Sequence, residues 1–93
     1  MAIIKYNIQY HHEIRKDISK LPTNIKERIR KAIENRLIID PASYSSPLRK
    51  DLTGLRKMRI GDYRVILEID KDIIVILKIG HRKEVYNPPI IRN

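Results

Sequence analysis

The stretch MRIGDYRVILEI, residues 58–69, decides the fold of this chain. Apolar and polar residues alternate on both sides of Gly61-Asp62, and a glycine at the first position of a two-residue loop is typical of a β-hairpin turn. The stretch therefore predicts two antiparallel strands, residues 55–60 and 63–69, joined by this turn.

The two-residue loop also predicts which side chains share a face of the hairpin. Arg59 lies opposite Arg64, and Lys57, Arg59 and Arg64 all leave the sheet on one side, while the apolar residues leave on the other. Directly opposed like charges destabilise a sheet by roughly 0.2 to 1 kcal/mol per pair. An anion bound to this face would explain such a cost. The alternative is a solvated face on which the long side chains splay apart.

The remaining sequence predicts one N-terminal strand, a helical hairpin and a further strand. The expected elements, in chain order, are a strand over residues 4–10, helices over 14–21 and 22–37, a loop over 41–53, and strands over 55–60, 63–69 and 73–79. No internal repeat or linker divides the chain. We therefore expect one α+β domain over residues 1–93, in which the strand and helices precede an antiparallel sheet of three or more strands.

The faces of the last strand depend on the loop before it. A three-residue loop, Asp70 to Asp72, places Lys78 and Arg82 on the cationic side, whereas a two-residue loop reverses the faces. With the three-residue loop, the residues expected in the core are Ile73, Val75, Leu77 and Ile79.

Composition favours an anionic partner and excludes several kinds of chemistry. Lysine and arginine number 20 and acidic residues 11, which gives a formal charge of +9. Such a surface attracts RNA, DNA, an anionic membrane or an acidic protein, although it also serves plain solubility. The absence of cysteine excludes disulfides and thiol nucleophiles. With no signal peptide and no apolar run near the ~20 residues of a membrane span, we expect a cytoplasmic protein without membrane contact.

A second cluster of functional residue types is GHRKEVY, residues 80–86. Cleavage of RNA through its own 2′-hydroxyl needs a proton acceptor, cations for the pentavalent phosphorane, a proton donor to the leaving oxygen and a group that holds the base. Lysine, arginine and tyrosine supply these without a metal, and Tyr86 can stack on a nucleotide. The alternatives are a Tyr86 that seals the sheet edge and a His81 that is only a structural or surface residue.

No cofactor or metal is expected. His11 and His12 are interpreted as a surface pair where the first helix starts, with no third ligand. Glycine-rich phosphate loops, Ser-His-Asp patterns and paired catalytic carboxylates are not evident.

The segments LRKMRIGDYRVILEID and IIVILKIGHRKEVY, together with the preceding helical hairpin and SYSSPLRKDLTGL, closely resemble the RelE/ParE toxin superfamily on its RelE side. The resemblance covers almost the whole chain and implies a RelE-like microbial RNase-type fold. It also implies the toxin of a type II toxin-antitoxin pair, which enters the ribosomal A site, cuts mRNA there and is neutralised in a complex with a RelB-like antitoxin.

The resemblance further implies an active site. Its catalytic positions correspond to Lys57, which would help activate the 2′-hydroxyl, Arg64, which would stabilise the phosphorane, Arg82, which would assist the leaving oxygen, and Tyr86, which would orient the nucleotide. The residues expected to bind RNA around them are Arg59, Lys78, His81 and Lys83. The chain differs from some ribosome-dependent members in having Leu55 in place of a lysine. It also differs in ending on NPPIIRN, which predicts no final helix.

Two other functions compete with a metal-independent mRNA endonuclease. One is a ParE-like inhibitor of DNA gyrase, which does not need the lysine, arginine and tyrosine set. The other is a non-catalytic module that binds nucleic acid as a corepressor with its antitoxin. The presence of Lys57, Arg82 and Tyr86 together favours the enzyme.

Overall fold

The computed structural model describes residues 5–48 and 54–86. Its elements are β1 (Asn7–Tyr10), α1 (Ile14–Ser19), α2 (Thr23–Ala32), a π-helical turn (Ile33–Leu37), β2 (Ser46–Pro47), β3 (Leu55–Ile60), β4 (Tyr63–Asp70) and β5 (Ile73–His81). The five strands form one sheet in the order β1-β5-β4-β3-β2. Strand β1 pairs with β5 in parallel, and the other pairs are antiparallel. The expected α+β class and the order of its main elements are confirmed.

The helices cover one face of the sheet because their apolar residues recur every three or four positions. Pro22, with φ of −58°, precedes α2, where its missing N–H costs no helical hydrogen bond. The π-helical turn extends this helix to Leu37, the predicted end. The core cluster between helices and sheet consists of Ile14, Leu21, Ile25, Ile29, Ala32, Ile33, Leu37, Met58, Ile60, Val65, Leu67, Ile74, Ile76 and Ile79.

The last strand differs from its predicted pattern because of its turn and a β-bulge. Asp70 pairs with Ile73, so the loop has two residues, and this reverses the predicted faces in the first half of β5. Ile74 and Ile76 are buried in the core. The expected core positions of Ile73, Val75 and Leu77 are therefore wrong.

The bulge restores the predicted faces in the second half of β5. Ile66 pairs with Lys78 and Leu67 with Ile76, which leaves Leu77 as the extra residue. Beyond it, Ile79 reaches the core and Lys78 reaches the face of Lys57, both as predicted.

A partly buried hydrogen bond connects the N-terminal half of the chain to this strand. The Asp17 carboxylate on α1 accepts a hydrogen bond of 3.0 Å from the Ile79 N–H. Strand β1 ends its pairing with β5 at Ile76, so this carboxylate satisfies a backbone donor that β1 does not reach.

The remaining differences from the predicted elements are small. Strand β1 begins at Asn7, and the loop predicted over residues 41–53 contains the two-residue strand β2. The predicted strand residue Ile4, the loop residues 49–53 and the C-terminal NPPIIRN segment, residues 87–93, lie outside the described residues.

Candidate active site

The sheet gathers the predicted cations in two neighbouring rows on the face opposite the helices. One row is Lys57, Ile66 and Lys78, and the next is Arg59, Arg64 and Gly80. Residues directly opposite in an antiparallel sheet are about 4.5 to 5.5 Å apart at Cα. The prediction that Lys57, Arg59 and Arg64 share a face is confirmed. Lys78 lies on the same face because of the bulge, although the three-residue loop on which its prediction depended is wrong. We call these four residues the cationic face.

The two opposed arginines of this face have different environments. Arg59 is exposed, whereas Arg64 is only 7% exposed. The Nη1 of Arg64 donates hydrogen bonds of 2.9 Å to the carbonyl oxygens of Gly61 and Tyr63. The alternative of a solvated face is therefore wrong for Arg64. Its guanidinium turns back onto the β3–β4 turn, whose carbonyl dipoles stabilise the positive charge.

Apolar residues form a floor under the cations. Ile66 is fully buried and Val85 is 1% exposed, yet neither belongs to the helix-side core. Val85 lies over Gly80, since a Cβ on Gly80 would be 3.5 Å from the Cβ of Val85. The segment after β5 therefore folds onto the cationic face, where buried apolar contacts lower the local dielectric and strengthen charge interactions.

This segment brings Arg82 to the β3–β4 turn. The Arg82 N–H donates to the Asp62 carbonyl at 2.7 Å, and the Arg82 Nε lies 3.6 Å from the Asp62 Oδ1. Both side chains are more than half exposed, so this pair contributes little stability and leaves the guanidinium accessible. Tyr86, 39% exposed, follows the anchored Val85. Arg82 therefore contacts the end of the sheet that carries Arg59 and Arg64. Tyr86 directly follows Val85, which packs against the same end.

His81 and Lys83 have a different arrangement from the one expected. His81 pairs with Tyr63 on the helix side of the sheet, and the two rings meet edge to face with centroids 5.4 Å apart. The His81 Nδ1 accepts the Lys83 N–H at 3.2 Å, which helps to close the turn after β5. The side chain of Lys83 is exposed. The structure therefore separates His81 from the cationic face and gives it a contact that shapes the following turn.

The cationic face also borders a groove that the sequence prediction missed. Lys57 and Arg59 line it together with residues of α2 and of the turn before β2. The signal in the sequence was a basic stripe on one side of the second helix, Arg28 and Lys31, but its position beside β3 depends on tertiary packing.

A separate cluster lies where β1 meets α1. The side-chain ligand atoms of His11, His12 and Glu13 lie within 4.8 Å of one another, so Glu13 supplies the third group that the sequence interpretation lacked. The His11 Nδ1 accepts the Glu13 N–H at 3.1 Å, and the two histidine rings stack with centroids 4.2 Å apart. The hydrogen bond from the Glu13 N–H already uses the lone pair of the His11 Nδ1.

The cationic face and the segment after β5 together supply the four side chains that the sequence prediction assigns to catalysis. The face supplies a half-buried amine at Lys57 and a guanidinium fixed by hydrogen bonds at Arg64. The segment after β5 supplies an accessible guanidinium at Arg82 and a partly exposed phenol at Tyr86. Fixed cations over an apolar floor stabilise negative charge that develops on phosphate oxygens. Fold and site together define a small basic α+β domain with a cationic sheet face.

Comparison with known proteins identifies the family. The family model for the ParE toxin of the type II toxin-antitoxin system parDE matches residues 8–86. Toxin RelG of Mycobacterium tuberculosis is 31% identical over 83 residues, which cover 87% of this chain and 95% of that protein. The chain belongs to the RelE/ParE superfamily of type II toxins, on its RelE side.

Solved structures agree with this assignment. The crystal structure of the toxin-antitoxin complex RelBE2 from Mycobacterium tuberculosis matches with a TM-score of 0.78 and 31% identity, covering 85% of this chain and all of that one. An arginine-substituted form of the E. coli toxin RelE in the free state matches with a TM-score of 0.71 over 92% of this chain and 90% of that one. At 12% identity the second likeness concerns the fold alone. In the described residues, no helix has the length and apolar character needed to span a membrane.

Proposed function

We propose that this toxin is a metal-independent endoribonuclease that enters the ribosomal A site and cuts mRNA there, which inhibits translation. The observation that supports the proposal most is that Lys57 and Arg64 lie on one face of the sheet and that Arg82 lies at the Gly61-Asp62 turn. Tyr86 directly follows Val85, which packs on the same face. The family resemblance assigns catalysis to Lys57, Arg64, Arg82 and Tyr86.

The proposed reaction uses the 2′-hydroxyl of the substrate as its nucleophile. Lys57 assists deprotonation of this hydroxyl, whose proton passes to solvent. The oxygen attacks the adjacent phosphorus to form a 2′,3′-cyclic phosphate, while the bond to the departing 5′-oxygen breaks and that oxygen takes up a proton from solvent. The fixed Arg64 stabilises the negative charge on the phosphorane, and Arg82 assists the leaving oxygen. Tyr86 stacks on a base and orients the strand for in-line attack. Arg59, Lys78 and Lys83 add positive charge along the RNA.

Inhibition of DNA gyrase is the second candidate, because the matching family model is that of ParE toxins. Binding to gyrase requires no phosphate chemistry, so that function leaves the grouping of Lys57, Arg82 and Tyr86 without a role. The same holds for a corepressor that only binds nucleic acid. The endonuclease is the function that uses this set of side chains.

The decisive experiment compares two versions of one message in cells that express the toxin. The versions differ only in a start codon, so that one is translated and the other is not. Mapping the 5′ ends should show new cuts inside the translated reading frame alone. Cuts on neither message together with altered plasmid supercoiling would support gyrase inhibition and reject the endonuclease.

We further propose that a RelB-like antitoxin neutralises this toxin in a heteromeric complex in the cytoplasm. RelB-RelE complexes from Methanococcus jannaschii and Pyrococcus horikoshii share the fold with TM-scores of 0.70 and 0.60. The formal charge of +9 favours a partner with an acidic binding segment.

A further inference from the structure

A groove continues from the cationic face along the edge of the sheet to α2. It consists of two adjoining cavities of about 340 and 600 Å³, which share Arg36, Tyr44 and Arg59. Lys57 lines the smaller cavity, and Arg28 and Lys31 line the larger. Strand β2 pairs with β3 only at Arg56 and Lys57, so the described residues place no strand beside residues 58–60.

The groove is cationic because α2 separates its charges onto different sides. Arg28 and Lys31 lie three residues apart and so project from one side of the helix. The acidic residues Glu27 and Glu34 both pair with Arg30 on another side, where the hydrogen bond from Arg30 lowers the pKa of Glu27. No carboxylate lines the groove or forms an ion pair with its cations, within residues 5–48 and 54–86.

Contacts to β3 hold an aromatic side chain at this groove. Arg56 donates from Nε to the Ser45 Oγ at 2.7 Å and from Nη2 to the Ser45 and Ala42 carbonyls at 3.0 and 3.2 Å. These bonds fix the turn that carries Tyr44, which is 48% exposed and lies 5.9 Å from the guanidinium carbon of Arg36. The Arg36 guanidinium lies over one face of this ring, and the opposite face is a platform on which a nucleic-acid base can stack.

We propose that the groove is a second RNA contact site, which binds one or two nucleotides of single-stranded RNA flanking the cleaved bond. Tyr44 stacks on a base, and Arg28, Lys31 and Arg36 bind phosphates. The inference rests on the proposed function, because the groove begins at Lys57, where the scissile phosphate would lie. The exposed ring and this continuity favour RNA over an acidic protein segment, and cavities of this volume accommodate a small ligand rather than a duplex.

The test measures the affinity of the full-length toxin for a fluorescein-labelled single-stranded RNA whose 2′-hydroxyls are all methylated, so that no cleavage occurs. Tyr44→Ala should weaken binding about tenfold, since stacking on a protein ring contributes that much per base. Tyr44→Phe should stay within about twofold of wild type. Arg28→Ala with Lys31→Ala should reduce the steepness of log K against log salt by about 1.4, or about 0.7 per lost phosphate contact.

The matched control is Lys20→Ala with Lys26→Ala. Both lysines are exposed and outside the groove lining, and their loss changes the net charge equally. The proposal is overturned if the control weakens binding as much as the groove variants, or if wild type does not bind at low salt. It is also overturned if RNA affinity stays level in the groove variants while antitoxin affinity falls, which would assign the groove to the antitoxin.

The same variants distinguish this inference from the proposed function. Cuts on the translated message by wild type, with unchanged RNA affinity in the groove variants, reject the second contact site alone. Absence of cuts by wild type, with affinity lost in the groove variants, rejects the endonuclease and keeps the RNA contact site.

Discussion

Arg59 and Arg64 lie opposite each other in the sheet, but their side chains have different environments. Arg59 keeps its side chain in solvent, whereas Arg64 is buried and bonded to two carbonyl oxygens of its own turn. The repulsion between the two is reduced because one guanidinium turns away to backbone dipoles. A phosphate would then meet one fixed cation and one adaptable cation, and the fixed one suits a transition state.

Arg64→Ala should therefore lower both stability and activity. Hydrogen bonds from a charged donor contribute about 1.5 to 3 kcal/mol, against a relieved repulsion of roughly 0.2 to 1 kcal/mol. The net loss of about 1 to 2 kcal/mol should lower the melting temperature by about 5 to 10 °C in a domain of this size. Single-turnover cleavage on ribosomes, measured well below the melting temperature, should fall about 100-fold or more.

Arg59→Ala is the matched control for this prediction, because it removes the same side chain from the same row. It relieves the repulsion and loses no buried hydrogen bond, so its melting temperature should stay level or rise slightly. Equal melting temperatures for the two variants would contradict the fixed role of Arg64. Full cleavage by a folded Arg64→Ala protein would remove Arg64 from the active site.

The strands show what the sequence predicts at the scale of elements and where it fails. The Gly61-Asp62 turn fixed the faces of β3 and β4, because side chains alternate strictly along a regular strand. In β5 that rule fails at Leu77, because a bulge depends on how the partner strand twists and packs. The burial of Arg64 could not be predicted from the sequence either. It depends on hydrogen bonds to backbone carbonyl groups, which the pattern of side chains does not reveal.

The turn between β4 and β5 carries a residue with an unfavourable backbone conformation. Lys71 has φ of 56°, in the left-handed region that costs a side chain about 1 kcal/mol. Lys71→Gly should therefore raise the melting temperature by a few degrees. Cleavage should not change, because this turn lies at the opposite end of the strands from Gly61. Asp72→Gly serves as the control, because Asp72 does not have a positive φ. A larger rise in melting temperature from Asp72→Gly than from Lys71→Gly would contradict the strain assigned to Lys71.

The groove is the part of the site that forms only when the whole molecule is folded. Its residues come from α2, from the turn before β2 and from β3. Because these segments are far apart in the chain, the sequence does not show that they lie close together in the fold. The sequence predicted Lys57, Arg59 and Arg64 of the cationic face through a single hairpin, which is a local element. It did not predict the groove, because the position of a helix over a sheet edge depends on how the complete core packs.

The charge of the whole molecule should steer its association with an acidic antitoxin. Raising the ionic strength from about 0.02 to 0.5 M should slow association tenfold or more and change dissociation little. Arg59→Glu and Lys26→Glu each lower the net charge by two, but only Arg59 lies on the cationic face and the groove. Stopped-flow measurements should show slower association for Arg59→Glu, because steering depends on the local field at the contact surface. Equal slowing of association by both variants would assign the effect to net charge alone. An association rate that does not depend on ionic strength would exclude electrostatic steering.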